Sequence, residues 1–247
     1  MPYSHPQPLD KATVLREWKH ILPAMMALSA TAGYINSVML GFFDTPVSHM
    51  SGAVSRLGIN LAQGHIESSF GSLLIIVGFL TGAMLAGVFV GATKLLPSRR
   101  YGAVLMFEGV LLLLATGLVL RHLPGGPMLA ATACGLQNAM SSSYCGLMIR
   151  TTHVSGVVTD LGVMLGHYLR HRRIVAWKLQ FLVALLFSFG VGGLAGAWLD
   201  LIYGPVCLLL PALFCFAAGA VFFALMRPEK GDEDENTVPR TSIFPDD

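Results

Sequence analysis

The stretch HMSGAVSRLG, residues 49–58, recurs as HVSGVVTDLG at residues 153–162. These two stretches, called the HxSG words below, are identical at six of their ten positions. Other matches keep the same order: GYINS at 33–37 corresponds to GLQNA at 135–139, and YGAV at 101–104 corresponds to YGPV at 203–206. The three offsets are 104, 102 and 102 residues. This regular spacing predicts an internal duplication of a unit of that length.

The composition is that of a membrane protein. Charged residues make up 12% of the 247 residues and hydrophobic residues make up 54%, with a mean hydropathy of +0.64. Soluble domains carry roughly 25% charged residues, so the chain is too apolar to be a soluble enzyme. The net charge of +2 is too small to indicate a nucleic-acid partner. We therefore expect the lipid bilayer to be the main partner.

Six segments are apolar enough to be spanning helices, which need about 20 mostly apolar residues. The fourth is the weakest, because Gln137, Asn138 and the serines at 141–143 interrupt it. Together the six predict an all-α membrane protein. Their ranges are 21–43, 70–95, 101–120, 128–147, 174–199 and 205–226.

The positions of Lys and Arg predict the orientation of these spans. With six spans and a cytoplasmic N-terminus, fourteen of these residues fall on the inner side and only Arg56 and Arg121 fall outside. An eight-span arrangement would place Lys94, Arg99 and Arg100 outside and is therefore disfavoured. We expect a multi-pass protein of the bacterial inner membrane with both termini in the cytoplasm.

Three spans per copy turn the second copy upside down, which predicts an inverted-topology repeat. The expected organisation is a cytoplasmic lead-in at 1–20, a first repeat at 21–120, a second repeat at 121–226 and a disordered cytoplasmic tail at 227–247. The HxSG words are too polar for lipid-facing helices. We expect each to be a broken or re-entrant helix near the membrane centre. The alternative is that both words are helix caps at the surface, because Ser is a good N-cap.

The motifs GYINS, HMSGA, GLQNA and HVSGVVTDLG resemble those of the YoaK-like family of bacterial integral membrane proteins (domain of unknown function 1275). The resemblance covers residues 22–226 and implies a six-span inner-membrane protein. It implies no activity. Asn36 stands where the family usually has Asp, and Ser51-Gly52-Ala53 replaces a Thr-Gly-Asn word. Any ion-coupling role of that Asp is therefore not carried over to this chain.

Glu108 lies inside the third predicted span. A charge at the bilayer centre costs about 3 kcal/mol on insertion scales, so such a residue usually faces a cavity or a partner. Glu108 is either a protonatable or cation-binding group, or a residue close enough to the inner interface to reach water or Arg99 and Arg100.

Polar residues in and beside the HxSG words are the other candidates for a substrate site or pore. Arg56 and Asp160 occupy the same position in the two words with opposite charge, so they either form an inter-repeat gating pair or remain two solvated charges. The remaining candidates have structural alternatives as interfacial or interhelical groups. They are Asn36, His49, Ser51, Asn138, His153 and Ser155.

No hydrolase, phosphate-loop, haem or HExxH motif is present, so we expect no enzyme activity, cofactor or metal. We expect the four cysteines to be buried and to pack as small hydrophobic side chains. Small-xxx-small pairs at Gly82/Ala86 and Gly192/Gly196 predict close helix packing, within the monomer or in a homodimer. Two functions remain open: a facilitated or secondary transporter or channel for a small solute or ion, and a non-transporting membrane scaffold or accessory subunit.

Overall fold

The computed structural model describes residues 11–44, 46–90, 99–123, 125–142, 153–172 and 174–225, and in these ranges the chain is all-helical. A 3-10 helix, Gly204–Leu208, joins the last two α-helices. The α-helices are α1 Lys11–Phe43, α2 Met50–Ala62, α3 Ile66–Val90, α4 Arg99–Val119, α5 Gly125–Ser142, α6 Val154–His171, α7 Ala176–Tyr203 and α8 Leu209–Leu225.

Four stretches of the described chain are long and apolar enough to cross a membrane: Leu22–Phe43, Ile66–Val90, Arg99–Val119 and Ala176–Leu225. The last contains both α7 and α8, which are separated at Gly204, a residue with a φ of 61°. Its 50 residues would form a helix of about 75 Å, more than twice the ~30 Å hydrocarbon core. The predicted fourth span corresponds to α5, which is not among the four.

Helix α1 begins at Lys11, inside the predicted lead-in at 1–20, and its apolar stretch begins at Leu22. The predicted disordered tail at 227–247 lies outside the described residues.

Outward-facing apolar side chains such as Phe187, Leu194 and Leu201 are 68–85% exposed on α7, as expected of a lipid-facing surface.

Two parallel helix pairs form the framework, and glycines bring the backbones together in both. In α1–α7, Gly192 lies against the carbonyl of Ala30 and Gly33 lies against the carbonyl of Phe189. In α3–α5, Gly82 lies against the carbonyl of Thr132. Gly135 completes that pair, against the carbonyl of Phe79. Gly82 and Gly192 therefore pack within the chain, as close packing of small-xxx-small pairs predicted.

These contacts use equivalent positions of the two sequence copies. Ala30 and Thr132 are 102 residues apart, as are Gly33 and Gly135. Phe79 and Phe189 are 110 residues apart, as are their neighbours Gly82 and Gly192. Helix α1, the first helix of its copy, thus packs against α7 in the same way as α5, the first helix of the second copy, packs against α3.

The remaining long helices run antiparallel. In α4–α8, Gly102 lies against Gly219 and Gly109 lies against Ala212. The corresponding first helices α1 and α5 also run in opposite directions where they cross. The Gln137 amide nitrogen donates to the Leu28 carbonyl oxygen over 2.7 Å at this crossing. Met25 and Met140 line one cavity beside it.

Candidate functional site

Each HxSG word opens a continuous α-helix. Helix α2 begins after His49 and helix α6 begins after His153, and neither start has a side-chain cap. The words are therefore not broken internally. The alternative in which Ser acts as an N-cap is wrong, because Ser51 and Ser155 lie inside the helices, where both are exposed.

The segment before the first word folds back against α1. The Oδ1 atom of Asn36 accepts hydrogen bonds from the Ser48 backbone N–H over 3.2 Å and from the Ser48 hydroxyl over 2.9 Å. Asn36 lies seven residues, about 10 Å, before the end of α1 at Phe43. The chain therefore turns back alongside α1 before α2 begins. Asp44, with a φ of 56°, lies at this turn.

The two words approach one another around Phe189, which lies at the midpoint of α7. The His49 ring meets the Phe189 ring edge-on, with 5.5 Å between their centroids. Val154 of α6 lines a small cavity together with Phe189. His153 lies within electrostatic range of His49. The N-terminal ends of α2 and α6 thus come close together at mid-height of the helix bundle.

A small cavity of about 10 Å³ lies beside the start of α6, where it is lined by Ser29 of α1 and by apolar side chains of α6 and α7. That volume holds about one water molecule. The two histidines that precede the helices differ in exposure. His49 is partly buried and hydrogen-bonded to the Ser48 hydroxyl over 3.0 Å, whereas His153 is exposed.

The predicted ion pair between Arg56 and Asp160 is not formed. Arg56 instead pairs with Asp44, at 2.6 Å, and Asp160 is exposed on α6. Asp44 is near the end of α1, so this contact stays within the first copy. The Arg56 side chain is 40% exposed, and the pair is therefore a solvated one. In the second copy, Asn138 is half-buried in α5, where its backbone carbonyl accepts from the Ser141 hydroxyl over 2.9 Å.

Glu108 is the most isolated charged group of the described chain. It lies beside the midpoint of α4, is 0% exposed, and neither carboxylate oxygen has a hydrogen-bond partner. Arg99 is nine residues away, about 13 Å along the helix, so the alternative of an interfacial residue is wrong. The neighbouring thiols belong to Cys134 of α5 and Cys215 of α8. The sequence had indicated these cysteines only as small hydrophobes.

Several interhelical hydrogen bonds near the centre were not predicted. Ser29 donates to the Leu185 carbonyl over 3.0 Å, and Tyr34 donates to the Cys207 carbonyl over 3.0 Å. Polar side chains in apolar helices were a signal for such bonds, but the sequence did not identify their acceptors, which are backbone carbonyls. Within the described ranges, no group of three His, Cys, Asp or Glu side chains could hold a metal ion.

A larger cavity, of about 160 Å³, lies between α1, α4, α5 and α8. It is lined by the middle of α1, the first half of α4, the last turn of α5 and the part of α8 from Phe214 to Phe222. Tyr101 and Ser141 are the polar residues of its lining, which also includes Met140 and Ala218.

The equivalent position of the other copy is tightly packed in the described residues. Met140, Ser141, Phe214 and Ala218 correspond, 102 positions earlier, to Val38, Met39, Leu112 and Thr116, all 0–1% exposed. Gly126 closes that region by packing against Val119. A further cavity of about 310 Å³ borders α1, α7 and α8. The α1–α8 side is therefore open, whereas the equivalent α4–α5 side is filled.

Residues 24–234 match the family described as "Protein of unknown function (DUF1275)". The chain belongs to the DUF1275 family. This confirms the resemblance that the four motifs carried. No curated protein and no solved structure matches the chain. The geometry of this DUF1275 protein is therefore the basis for assigning it a function.

Proposed function

We propose that this DUF1275 protein is a secondary or facilitated transporter for a small solute or ion. It crosses the bacterial inner membrane six times as two inverted three-helix repeats, with both termini in the cytoplasm. The directions of the long helices support this arrangement: α1 parallels α7, α3 parallels α5, and α4 opposes α8. If α1, α3, α4, α5, α7 and α8 cross the membrane in alternating directions, the first two of these pairs must be parallel and the third antiparallel, as observed.

The observation that carries the proposal is the unequal packing of equivalent interfaces. In transporters built from inverted repeats, the two repeats adopt different arrangements, and exchange of these arrangements moves the opening from one side of the membrane to the other. Here the α1–α8 side has a cavity and the α4–α5 side is filled. In the proposed orientation, the cavity lies in the cytoplasmic half.

Glu108 is the proposed site of proton or cation coupling. It lies one turn beyond Leu105, a residue of the cavity lining, and one turn before the filled region at Leu112. A carboxyl group at that boundary can gain or lose a proton when the access side changes. Its lack of hydrogen bonds favours the neutral form in the present arrangement, because an unpaired buried charge is costly.

The test is proton movement driven by solutes in proteoliposomes. A pH-sensitive dye inside the vesicles reports proton entry while a panel of amino acids, sugars, organic acids and inorganic ions is applied outside. We expect Glu108→Gln to abolish the response, and Glu67→Gln, an exposed carboxylate at the start of α3, to retain it. A Glu108→Gln protein with unchanged solute flux and pH dependence would remove Glu108 from the mechanism.

The apolar centre favours a second candidate function, a membrane scaffold or accessory subunit. The cavities described above are lined mainly by apolar side chains. A scaffold would hold one arrangement of its helices permanently. A transporter must exchange two, so measuring that exchange separates the two functions without knowledge of the substrate.

A further inference from the structure

Helix α6 is the exposed counterpart of α2. None of its 18 residues is buried, whereas α2 buries Ala53 and Asn60. A half-buried strip of α6 faces α7 and includes Val154 and Val157. Beside this strip, Val158, Leu165 and Leu169 are 50–73% exposed. With 100° per residue these three project in one direction, so α7 covers only part of the apolar face.

The opposite face of α6 is polar, and its C-terminal end is basic. The exposed side chains there are His167, Arg170, His171 and Arg172. Between Leu161 and Arg172 the sequence contains no acidic residue. The Arg172 guanidinium lies 5.9 Å from the centre of the Tyr168 ring. An exposed apolar strip that ends in a basic cluster is the pattern of a helix that contacts acyl chains along its side and lipid headgroups at its basic end.

The comparison with α2 indicates which membrane surface is involved. The only charged residue of α2 is Arg56, and it is neutralised by Asp44. In the proposed orientation α2 lies on the outer side and α6 on the cytoplasmic side. Only the cytoplasmic member of the pair therefore offers unneutralised positive charge. Anionic phospholipid headgroups attract juxtamembrane Lys and Arg in this way.

We propose that α6 runs from mid-height of the helix bundle to the cytoplasmic interface of the bilayer, and that the basic cluster at its C-terminal end binds the phosphate groups of anionic phospholipids. The exposed apolar residues Val158, Leu165 and Leu169 insert beside α7 among the upper acyl chains. His167, Arg170, His171 and Arg172 contact the headgroups. This surface depends on the membrane orientation of the chain and not on whether the protein transports a solute.

Trp177, at the start of α7 and close to this cluster along the chain, is a suitable reporter. The full chain with Trp18→Phe and Trp198→Phe would be reconstituted in phosphatidylcholine bilayers. A minor fraction of the lipid would be either phosphatidylglycerol or phosphatidylcholine with brominated acyl chains, which quench nearby tryptophan. We expect stronger quenching by the brominated phosphatidylglycerol, and loss of this preference in high salt, where screening is strong.

The deciding variant is Arg170→Gln/Arg172→Gln. Each arginine near an anionic surface contributes about 1 kcal/mol, about fivefold in binding, so the preference should fall by roughly 25-fold. The matched control, Arg56→Gln/Arg121→Gln, removes the same charge elsewhere and should keep the preference. Equal quenching by both lipids in the parent protein, or a preference that survives high salt or the α6 substitutions, would overturn the proposal. An equal loss in the control would do so as well.

Discussion

The α4–α5 and α1–α8 interfaces occupy equivalent positions in the two copies of the chain, but their packing differs. At α4–α5, Gly126 fits against Val119, and Leu112 and Thr116 are fully buried. At α1–α8, the equivalents Phe214 and Ala218 line a cavity. By contrast, the α1–α7 and α3–α5 pairs are packed alike. The two parallel pairs are therefore equivalent units, and the asymmetry lies where each of them meets the antiparallel α4–α8 pair.

Substitutions inside the two parallel pairs should give the largest effects on stability. A methyl group at Gly82 or Gly192 would collide with a backbone carbonyl of the facing helix, on Thr132 or Ala30. We expect Gly82→Ala and Gly192→Ala to lower the free energy of unfolding by about 3 kcal/mol each, because the backbones must separate. Reversible unfolding in mixed micelles measures this change.

Each of these variants has a matched control on its own helix. A methyl group at Gly87 or Gly190 would meet no atom within 4 Å, so Gly87→Ala and Gly190→Ala should leave stability unchanged or slightly raised. Similar losses in Gly82→Ala and Gly192→Ala would support the equivalence of the two units. A large loss in only one of them would argue against it.

The closed interface should be the next most sensitive. A methyl group at Gly126 would approach the Cγ2 atom of Val119 to 2.6 Å and its backbone nitrogen to 3.0 Å. We expect Gly126→Ala to destabilise the closed α4–α5 arrangement by roughly 2 kcal/mol. A cysteine at Thr116 should then react faster with a thiol reagent. Gly117→Ala, which meets no atom within 4 Å, should not change that rate.

The folded-back segment before α2 should depend on the oxygen of Asn36. That atom accepts both hydrogen bonds from Ser48, so Asn36→Leu should lower the free energy of unfolding in detergent by about 1–2 kcal/mol. Asn36→Asp retains an acceptor at this position and should cost less. Equal losses for both substitutions would show that the acceptor is not what holds the segment.

The smallest effect is expected at the ion pair between Arg56 and Asp44. Both side chains reach water, with exposures of 40% and 89%, and exposed ion pairs contribute about 0–1 kcal/mol. Arg56→Gln and Asp44→Asn should therefore each change thermal stability only slightly, and their double variant no more than either alone. A strong effect on conformational exchange would instead return Arg56 to a gating role.

The sequence predicted the all-helical class and the presence of long apolar helices. It did not predict which helices pair, because lipid-facing and buried faces are both apolar and the helices carry little periodic signal. The Arg56–Asp160 pair was inferred from symmetry alone. Arg56 has a closer partner in Asp44, at the turn twelve residues earlier in the sequence. Gln137 donates to the backbone carbonyl of Leu28, and the sequence could not identify this acceptor because every residue carries such a carbonyl.

The exchange of the two interfaces is tested most directly by cysteine labelling at Ala218 and its equivalent Thr116. After replacement of the native cysteines, a membrane-impermeant thiol reagent is applied to intact cells and to inverted vesicles. The account predicts that Ala218→Cys reacts from the cytoplasmic side only, and that Thr116→Cys reacts more slowly and from the outside only. A Thr116→Cys protein that stays unreactive from both sides, or that reacts from the inside, would contradict alternating access and favour the scaffold.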